Sequence, residues 1–186
     1  MITTKNELKF YLECDRLALG TDRKKPKVFG DEIWKFERTM RLLDYYTQKR
    51  SPVAYWYRFI YHKQGIRLGF TIPFDISGPG LSIAHYGYLV ISSNAQIGAN
   101  CRIHSGVNIG ASGGRTEAAV VGDNVYIGPG AKIIGNVKIG NNAVIGANAV
   151  VVNDVESGVT VGGVPAMKIS DRDSSCHLIK ATELRE

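Results

Sequence analysis

The sequence is poor in the residues that build metal centres and disulfide frameworks. Only four histidines and three cysteines occur among 186 residues. The cysteines, Cys14, Cys101 and Cys176, are scattered and odd in number, so they match neither a zinc spacing nor a paired disulfide set. This composition predicts a reduced, cytoplasmic protein without a bound metal.

Long apolar runs are also missing. No stretch approaches the roughly 18 apolar residues that a membrane-spanning helix needs. The N-terminal stretch MITTKNELKFYLECDRLALG is charged throughout and lacks the apolar centre of a secretory signal. We therefore expect no transmembrane segment.

Acidic residues are fewer than basic ones, 17 against 23, which leaves a net charge of +6. Such a balance suits an anionic partner. No nucleic-acid recognition motif accompanies the charge, so we expect no nucleic-acid partner. A phosphorylated nucleotide cofactor or a phosphorylated glycan carrier would be attracted equally, and charge alone does not choose between them.

A six-residue period dominates the middle of the chain. Ile or Val recurs at this interval, with one step falling in a polar insertion, at Ile91, Ile97, Ile103, Ile109, Val121, Ile127, Ile133, Ile139, Ile145 and Val151. Four residues after each lies a mostly small, uncharged residue: Ala95, Cys101, Val107, Val125, Ala131, Val137, Ala143, Ala149 and Val155. A period of six fits neither an amphipathic helix nor an alternating strand.

This period is typical of a parallel β-helix, in which each hexad forms a short strand and a corner. β-branched residues suit the strands, and Gly and Asn suit the corners because they tolerate left-handed backbone. Three hexads close a coil of about 18 residues, and coils stack at about 4.8 Å. An ordinary β-sandwich would not keep one unbroken phase of six. We therefore predict a mainly β protein, a β-helix with an N-terminal α-helical cap.

The interruptions of the period divide the chain. Residues 1–66 form a predicted helical region, with a capping box of Thr4 and Glu7 and an aromatic third helix expected to pack against the first coil and neighbouring subunits. Residues 67–170 form the predicted coil, from which the Gly-rich loop 111–120 must protrude. Residues 171–186 have little apolar pattern and are expected to form a weakly ordered tail.

The order of these features resembles a known family. Helices precede LSIAHYG, hexads with a Gly-rich loop follow, and GGVPAMKI ends the coil. This is similar to the hexapeptide-repeat acyltransferases, above all the serine acetyltransferase branch with its relatives in polysaccharide biosynthesis. The resemblance implies a left-handed coil, acetyl-CoA as co-substrate, and a homotrimer or dimer of trimers with active sites between subunits.

His85 is the candidate catalytic residue. It interrupts an apolar segment where the repeat favours an aliphatic side chain, and such a violation indicates a functional site. The resemblance implies that His85 is the general base. Imidazole titrates near neutral pH and can take a proton from a hydroxyl group as its oxygen attacks a thioester.

Further site residues follow from position and from the resemblance. His104 lies about one coil after His85 and is expected to face outward. With Tyr86, Asp75 and Arg115 it forms the predicted acceptor site. The resemblance assigns acetyl-CoA binding to small residues of successive turns and to a terminal lysine that meets the phosphates, which here are Gly110, Ala111, Ser112, Gly128, Pro129, Gly146, Ala147 and Lys168.

The sequence departs from serine acetyltransferases at positions that bear on the acceptor. Serine acetyltransferases have an Asp before the catalytic His and an Arg-His pair in the loop, whereas here Ala84 precedes His85 and the loop reads GGRTEAA. An amino acid needs partners for its ammonium and carboxylate groups, because burying either unpaired is costly. These differences favour a sugar hydroxyl of a polysaccharide precursor, with L-serine as the alternative acceptor.

Three other readings of the coil compete with direct transfer. Cys101 as a nucleophile is disfavoured because it occupies an interior slot. A carbonic anhydrase would need a third histidine in the coil to hold zinc. A non-catalytic scaffold would make His85 incidental.

Overall fold

The computed structural model describes residues 1–113 and 116–184. Within these ranges the chain forms three helices followed by short strands that coil into a triangular prism. The helices are α1 (Lys5–Ala18), α2 (Glu32–Gln48) and α3 (Val53–Leu68). The strands are β1 (Phe70–Thr71), β2 (Ser82–Ile83), β3 (Leu89–Ile91), β4 (Gln96–Ile97), β5 (Arg102–Ile103), β6 (Asn108–Gly110), β7 (Val120–Val121), β8 (Tyr126–Ile127), β9 (Lys132–Ile134), β10 (Lys138–Ile139), β11 (Val144–Ile145), β12 (Val150–Val151), β13 (Thr160–Gly162) and β14 (Met167–Ser170).

The strands stack into three faces. Face 1 has the order β1-β3-β6-β9-β12, face 2 the order β4-β7-β10, and face 3 the order β2-β5-β8-β11-β13-β14. All neighbours are parallel except β13 and β14, which are antiparallel. The predicted left-handed parallel β-helix is confirmed.

The hexad positions form the interior of the prism. Every Ile or Val of the first slot and every small residue of the second slot is buried. Burying an aliphatic side chain of this size contributes roughly 1.5–3 kcal/mol relative to exposing it. The period read from the sequence is therefore the packing period of one continuous core.

Asparagines line one edge of the prism, between faces 2 and 3. Asn100, Asn124 and Asn142 have positive φ angles of 54°, 57° and 59°. The Asn100 side-chain amide donates to Asn124 Oδ1 at 2.8 Å, and Asn124 donates to Asn142 Oδ1 at 3.1 Å. These amides follow the stacking of the coils and satisfy each other.

The helical layer closes the first coil through a buried ion pair. Arg41 of α2 donates to Asp15 of α1 at 2.8 Å, and to the carbonyls of Ser77 and Gly78 at 2.8 and 2.7 Å. Asp15 also accepts the backbone N–H groups of Gly80 and Leu81, at 2.9 and 3.0 Å. The turn 77–81, which precedes β2, is thus held by side chains of the helices. The capping box of Thr4 and Glu7 at the start of α1 is confirmed.

The prediction of a weakly ordered tail is wrong for the described part. Ser174 and Ala181 are fully buried, and Ala181 packs against Cys14 and Ala18 of α1. The Thr182 backbone N–H donates to Asn100 Oδ1 at 3.1 Å. The tail returns along the asparagine edge, where the Ser174 N–H donates to the Asn142 carbonyl at 3.1 Å and the Ser174 hydroxyl donates to the Asn124 carbonyl.

Candidate active site

His85 lies at the edge of the prism between faces 3 and 1, which we call the histidine edge. Its turns are residues 84–88, 104–107, 128–131 and 146–149. His85 follows β2, and His104 follows β5, which pairs with β2 in the next coil. The Ala84 N–H donates to the Ile103 carbonyl at 2.9 Å, so the stacking of two strands brings both histidines to neighbouring turns.

A row of rings runs down this edge. The His85 and His104 ring centroids are 5.9 Å apart, and Tyr126 lies 5.1 Å from His104. His177 of the tail follows at 4.8 Å from Tyr126. Sequence reasoning found the two histidines of the coil. Tyr126 occupies an outward strand position before a hexad Ile, which was an available signal, whereas nothing in the sequence indicated that His177 would reach this row.

His104 is half-buried and His85 is exposed. Burial lowers the pKa of His104, and the positive charge of Arg102 and the proximity of His85 lower it further. The buried His104 Nε2 has no hydrogen-bond partner among the described residues. His104 is therefore a neutral imidazole at neutral pH, able to accept or donate one hydrogen bond toward a ligand.

The helical layer also holds the strand that carries His85. Glu37 of α2 is fully buried, and its Oε1 accepts the Ile83 N–H at 2.9 Å. Burial raises the pKa of Glu37 well above its usual range, and the nearby Asp15 carboxylate adds to the rise. Glu37 and Arg41 were missed from the sequence, although two charged residues four apart within the apolar face of α2 were a usable signal.

The predicted cofactor residues divide between two edges. Gly128 and Pro129, and one coil further Gly146 and Ala147, form turns of the histidine edge. Gly110, Ala111 and Ser112 instead lie at the start of the loop between faces 1 and 2, which we call the loop edge. One chain therefore does not bring the two groups together.

Below His104 the turns of the histidine edge consist mainly of small residues, among them Gly128, Pro129, Gly146 and Ala147. At Gly128 a Cβ would lie 2.9 Å from the Ala147 nitrogen, so the stacking of the turns itself requires glycine there. A thin, extended ligand such as pantetheine fits along such an edge. Lys168, in β14 on the last coil of face 3, forms an ion pair with Asp171 at 2.5 Å, and its side chain is 47% exposed. The hydrogen bond and charge of Asp171 raise the pKa of Lys168, which stays cationic.

The predicted acceptor residues are not all brought to His85. Tyr86 is its exposed neighbour on the histidine edge. Asp75 lies in the first-coil turn of the loop edge, beside a cavity lined by Tyr11 and Asn94. The expectation that Asp75 lies beside His85 is therefore wrong for a single chain. Asp75 follows β1 of face 1 and lies on the loop edge, whereas His85 precedes β3 of face 1 and lies on the histidine edge. Arg115 lies outside the described residues.

Cys101 is fully buried, and burial raises the pKa of its thiol to about 12. It is a core residue and not a nucleophile, because the thiolate is the reactive form. Among the described residues, no group of three His, Cys, Asp or Glu side chains is placed to hold a metal ion. None of the helices in residues 1–113 and 116–184 has the length and apolarity to span a membrane.

Comparison with known proteins agrees with this architecture. Residues 118–153 match the family described as "Bacterial transferase hexapeptide (six repeats)". The chain is a hexapeptide-repeat protein of the left-handed β-helix class. Within that family it is similar to the serine acetyltransferase branch.

Two curated relatives show the extent of that similarity. The chain is 36% identical over 132 residues to "Serine acetyltransferase" of Synechococcus elongatus, covering 69% of this chain and 53% of the relative. It is 41% identical over 105 residues to "Serine acetyltransferase" of Mycobacterium tuberculosis, covering 55% of this chain and 46% of that one. This hexapeptide-repeat chain thus spans about half the length of the curated relatives it matches.

Solved structures extend the match over the helices. The serine acetyltransferase of Brucella abortus superposes with a TM-score of 0.73 at 27% identity, covering 92% of this chain and 72% of the other. The same enzyme in complex with coenzyme A has a TM-score of 0.72 at 28% identity, with coverages of 90% and 70%.

Proposed function

We propose that the chain is an acetyl-CoA-dependent O-acetyltransferase with His85 as its general base. The observation that carries the proposal is the exposed His85 ring beside the His104 ring, at the head of an edge built of small turn residues. The structure of a relative in complex with coenzyme A supports acetyl-CoA as the acyl donor.

The residues support a direct transfer. His85 takes the proton of the acceptor hydroxyl as its oxygen attacks the thioester carbonyl carbon. The tetrahedral intermediate then expels the CoA thiolate, and the proton passes from His85 to the sulfur. His104 is neutral because of its lowered pKa, so it adds no second positive charge beside protonated His85.

L-Serine is the acceptor that the relatives favour. The expected sugar acceptor gains no support from them, since those we compare are all described as serine acetyltransferases. The missing carboxylate before His85 does not argue against serine, because acceptor groups can come from the loop edge of another copy. A sugar acceptor was favoured because one chain lacks partners beside His85 for the charged groups of serine, and a second chain can supply such partners.

A homotrimer, or a dimer of trimers, supplies that other copy. The histidine edge carries His85 and the loop edge carries Asp75 and Ser112, so the two sets of predicted residues lie on different edges of one prism. A threefold axis parallel to the prism would place the loop edge of one chain against the histidine edge of the next. The scattered and odd-numbered cysteines support a cytoplasmic location, where thiols stay reduced.

The test is release of free thiol from acetyl-CoA with L-serine, compared with a panel of sugars and nucleotide sugars. We expect turnover with serine, and a decrease of about 10²–10⁴-fold in His85→Ala with unchanged CoA affinity by calorimetry. His62→Ala, an exposed histidine on α3, is the matched control.

Three results would change the proposal. Normal turnover by His85→Ala would remove the assigned base. Turnover with a sugar and none with serine would restore the sugar acceptor. Failure of the wild-type chain to bind CoA would favour a scaffold.

A further inference from the structure

The outer half of α3 carries an exposed aromatic stripe. Tyr55, Trp56, Phe59 and Ile66 are 79%, 63%, 56% and 68% exposed. At 3.6 residues per turn they fall within about 100° of the helix circumference. The Trp56 and Phe59 rings stack with centroids 6.3 Å apart, so the N-terminal half of the stripe is contiguous.

In the rest of the aromatic cluster, Tyr61 packs against the core of the coil as predicted, and packing on neighbouring subunits stays a prediction. Tyr61 stacks on Phe36 at 4.8 Å, and Tyr57 stacks on Tyr46 at 5.3 Å. Apolar side chains therefore occupy both the inner and the outer face of α3, although packing against a single core needs only the inner face. Single exposed apolar residues are ordinary, whereas a contiguous stripe indicates a contact surface.

Cations flank the stripe on both sides. Arg58 lies on one side and Arg67 on the other, Lys63 lies within the stripe, and residues 53–74 contain no Asp or Glu. The Lys63 ammonium lies 5.6 Å from the centre of the Phe59 ring. Arg67 reaches one carboxylate, Glu32 of α2, at 3.9 Å.

The loop before α2 repeats this combination. Val28 and Phe29 are 83% and 90% exposed, directly after Lys24, Lys25 and Lys27. The Arg67–Glu32 contact places the C-terminal half of α3 against the first turn of α2, and this loop leads into that turn. The loop therefore lies near the Ile66 end of the stripe, at the opposite end of α3 from Tyr55 and Trp56.

The charge decides what covers this surface. Two copies meeting through the same face would bring like charges together around the aromatic contact, which is unfavourable. An anionic lipid surface offers both partners, phosphates for the cations and the headgroup boundary for Trp, Tyr and Phe rings.

We propose that α3 and the loop 24–29 form a docking face for an anionic phospholipid bilayer, on which the chain lies peripherally. This proposal goes beyond the acetyltransferase function and does not depend on it. The face is coupled to the candidate site, because the Gly87 N–H donates to the Leu68 carbonyl at 2.9 Å and the Leu89 N–H to Gly69 at 3.1 Å. The C-terminal end of α3 is thus bonded to the turn that carries His85.

Vesicle co-sedimentation tests the proposal with the purified full chain. Vesicles of phosphatidylcholine alone are compared with vesicles containing about 30% phosphatidylglycerol, at low and high salt. We expect binding only to the anionic vesicles, weakened by salt. A Lys24→Gln, Lys25→Gln, Lys27→Gln variant should lose about a hundredfold in partition coefficient, since each cation contributes about fivefold.

The aromatic stripe is tested separately. The double variant Trp56→Ser, Phe59→Ser should lose about tenfold or more in partition coefficient at unchanged charge. Met167→Ser and Lys138→Gln, exposed residues of β14 and β10, are the matched controls and should bind like the wild type. Circular dichroism verifies that every variant is folded.

Two outcomes would overturn the proposal. Equal binding to neutral and anionic vesicles, or to neither, removes the lipid surface as partner. If the aromatic double variant changes the oligomer size by light scattering while the wild type ignores vesicles, the stripe is an interface between copies. Thiol release from acetyl-CoA is measured on the same protein. A chain that releases thiol but does not bind vesicles contradicts the docking proposal and leaves the proposed reaction intact.

Discussion

Replacing Arg41 by Met removes the cation that joins α1, α2 and the first coil. The guanidinium is 1% exposed and donates to Asp15 and to the carbonyls of Ser77 and Gly78. Met fills a similar volume, so the variant loses charge and hydrogen bonds with little loss of packing. Asp15 and Glu37 would remain as two buried carboxyl groups without a cation.

The expected loss in unfolding free energy is about 3–5 kcal/mol, the usual cost of breaking a buried ion pair on one side. For a chain of this size each kcal/mol lowers the melting temperature by about 2–4 °C, so a decrease of about 6–20 °C should follow. Arg172→Met is the matched control, because Arg172 is exposed and its hydrogen bonds are made by its backbone. We expect its melting temperature to stay within about 2 °C of the wild type.

The pH dependence of this loss has a definite sign. Burial raises the pKa of Asp15, and the Arg41 charge offsets part of the rise. Without Arg41 the folded-state pKa rises further above the unfolded value of about 3.9, so stability falls as pH rises above that value. The loss should be larger at about pH 8 than at about pH 5, where the carboxyl groups accept protons more readily.

Thermal unfolding followed by circular dichroism at both pH values measures the effect. A melting temperature within about 2 °C of the wild type at both would refute the reasoning, because it would mean that the buried carboxyl groups need no cation. A decrease that is larger at low pH would contradict the assigned charge states.

Two further predictions concern the coil. His104 should titrate below the ordinary value of about 6.5 in histidine NMR, and Arg102→Gln should raise its pKa because a neighbouring positive charge is removed; a midpoint above the ordinary value would contradict the burial argument. Gly69→Ala should lower the unfolding free energy by more than about 2 kcal/mol, because φ is 78° and the added Cβ would lie 3.1 Å from the backbone carbonyl carbon of Gly87. Gly158→Ala, with φ of 73° and nothing within 4 Å, meets only the backbone strain and should lose about 1–2 kcal/mol; equal losses in the two denaturant titrations would show that the close approach to Gly87 costs nothing.

Sequence reasoning worked best where an interaction is local and repeated. The hexad positions, the small second slot and the positive-φ asparagines each follow from the backbone geometry of one strand and one corner. The proximity of His85 and His104 followed as well, because residues about one coil apart stack.

Sequence reasoning failed where distant segments meet. The tail was expected to be weakly ordered, yet Ser174 and Ala181 are buried, because Ser174 bonds to the Asn142 carbonyl and Ala181 packs against α1. Asp75 was expected near His85, but the chain passes from one face to the next at every turn. Asp75 and His85, ten residues apart, therefore lie on different edges of the prism. The Asp15–Arg41 pair joins residues 26 apart, and no repeat in the sequence predicts such a contact.

The sequence by itself determined the scaffold, because every hexad repeats the same local choice of strand, small residue and corner, and these choices agree along the chain. Tertiary structure alone decided which side chains meet: the ring row that ends at His177, the two edges that separate Asp75 from His85, and the helical layer that holds the strand before His85. These contacts depend on the direction in which each coil turns and on how the helices close the first coil, and neither is encoded in a local period.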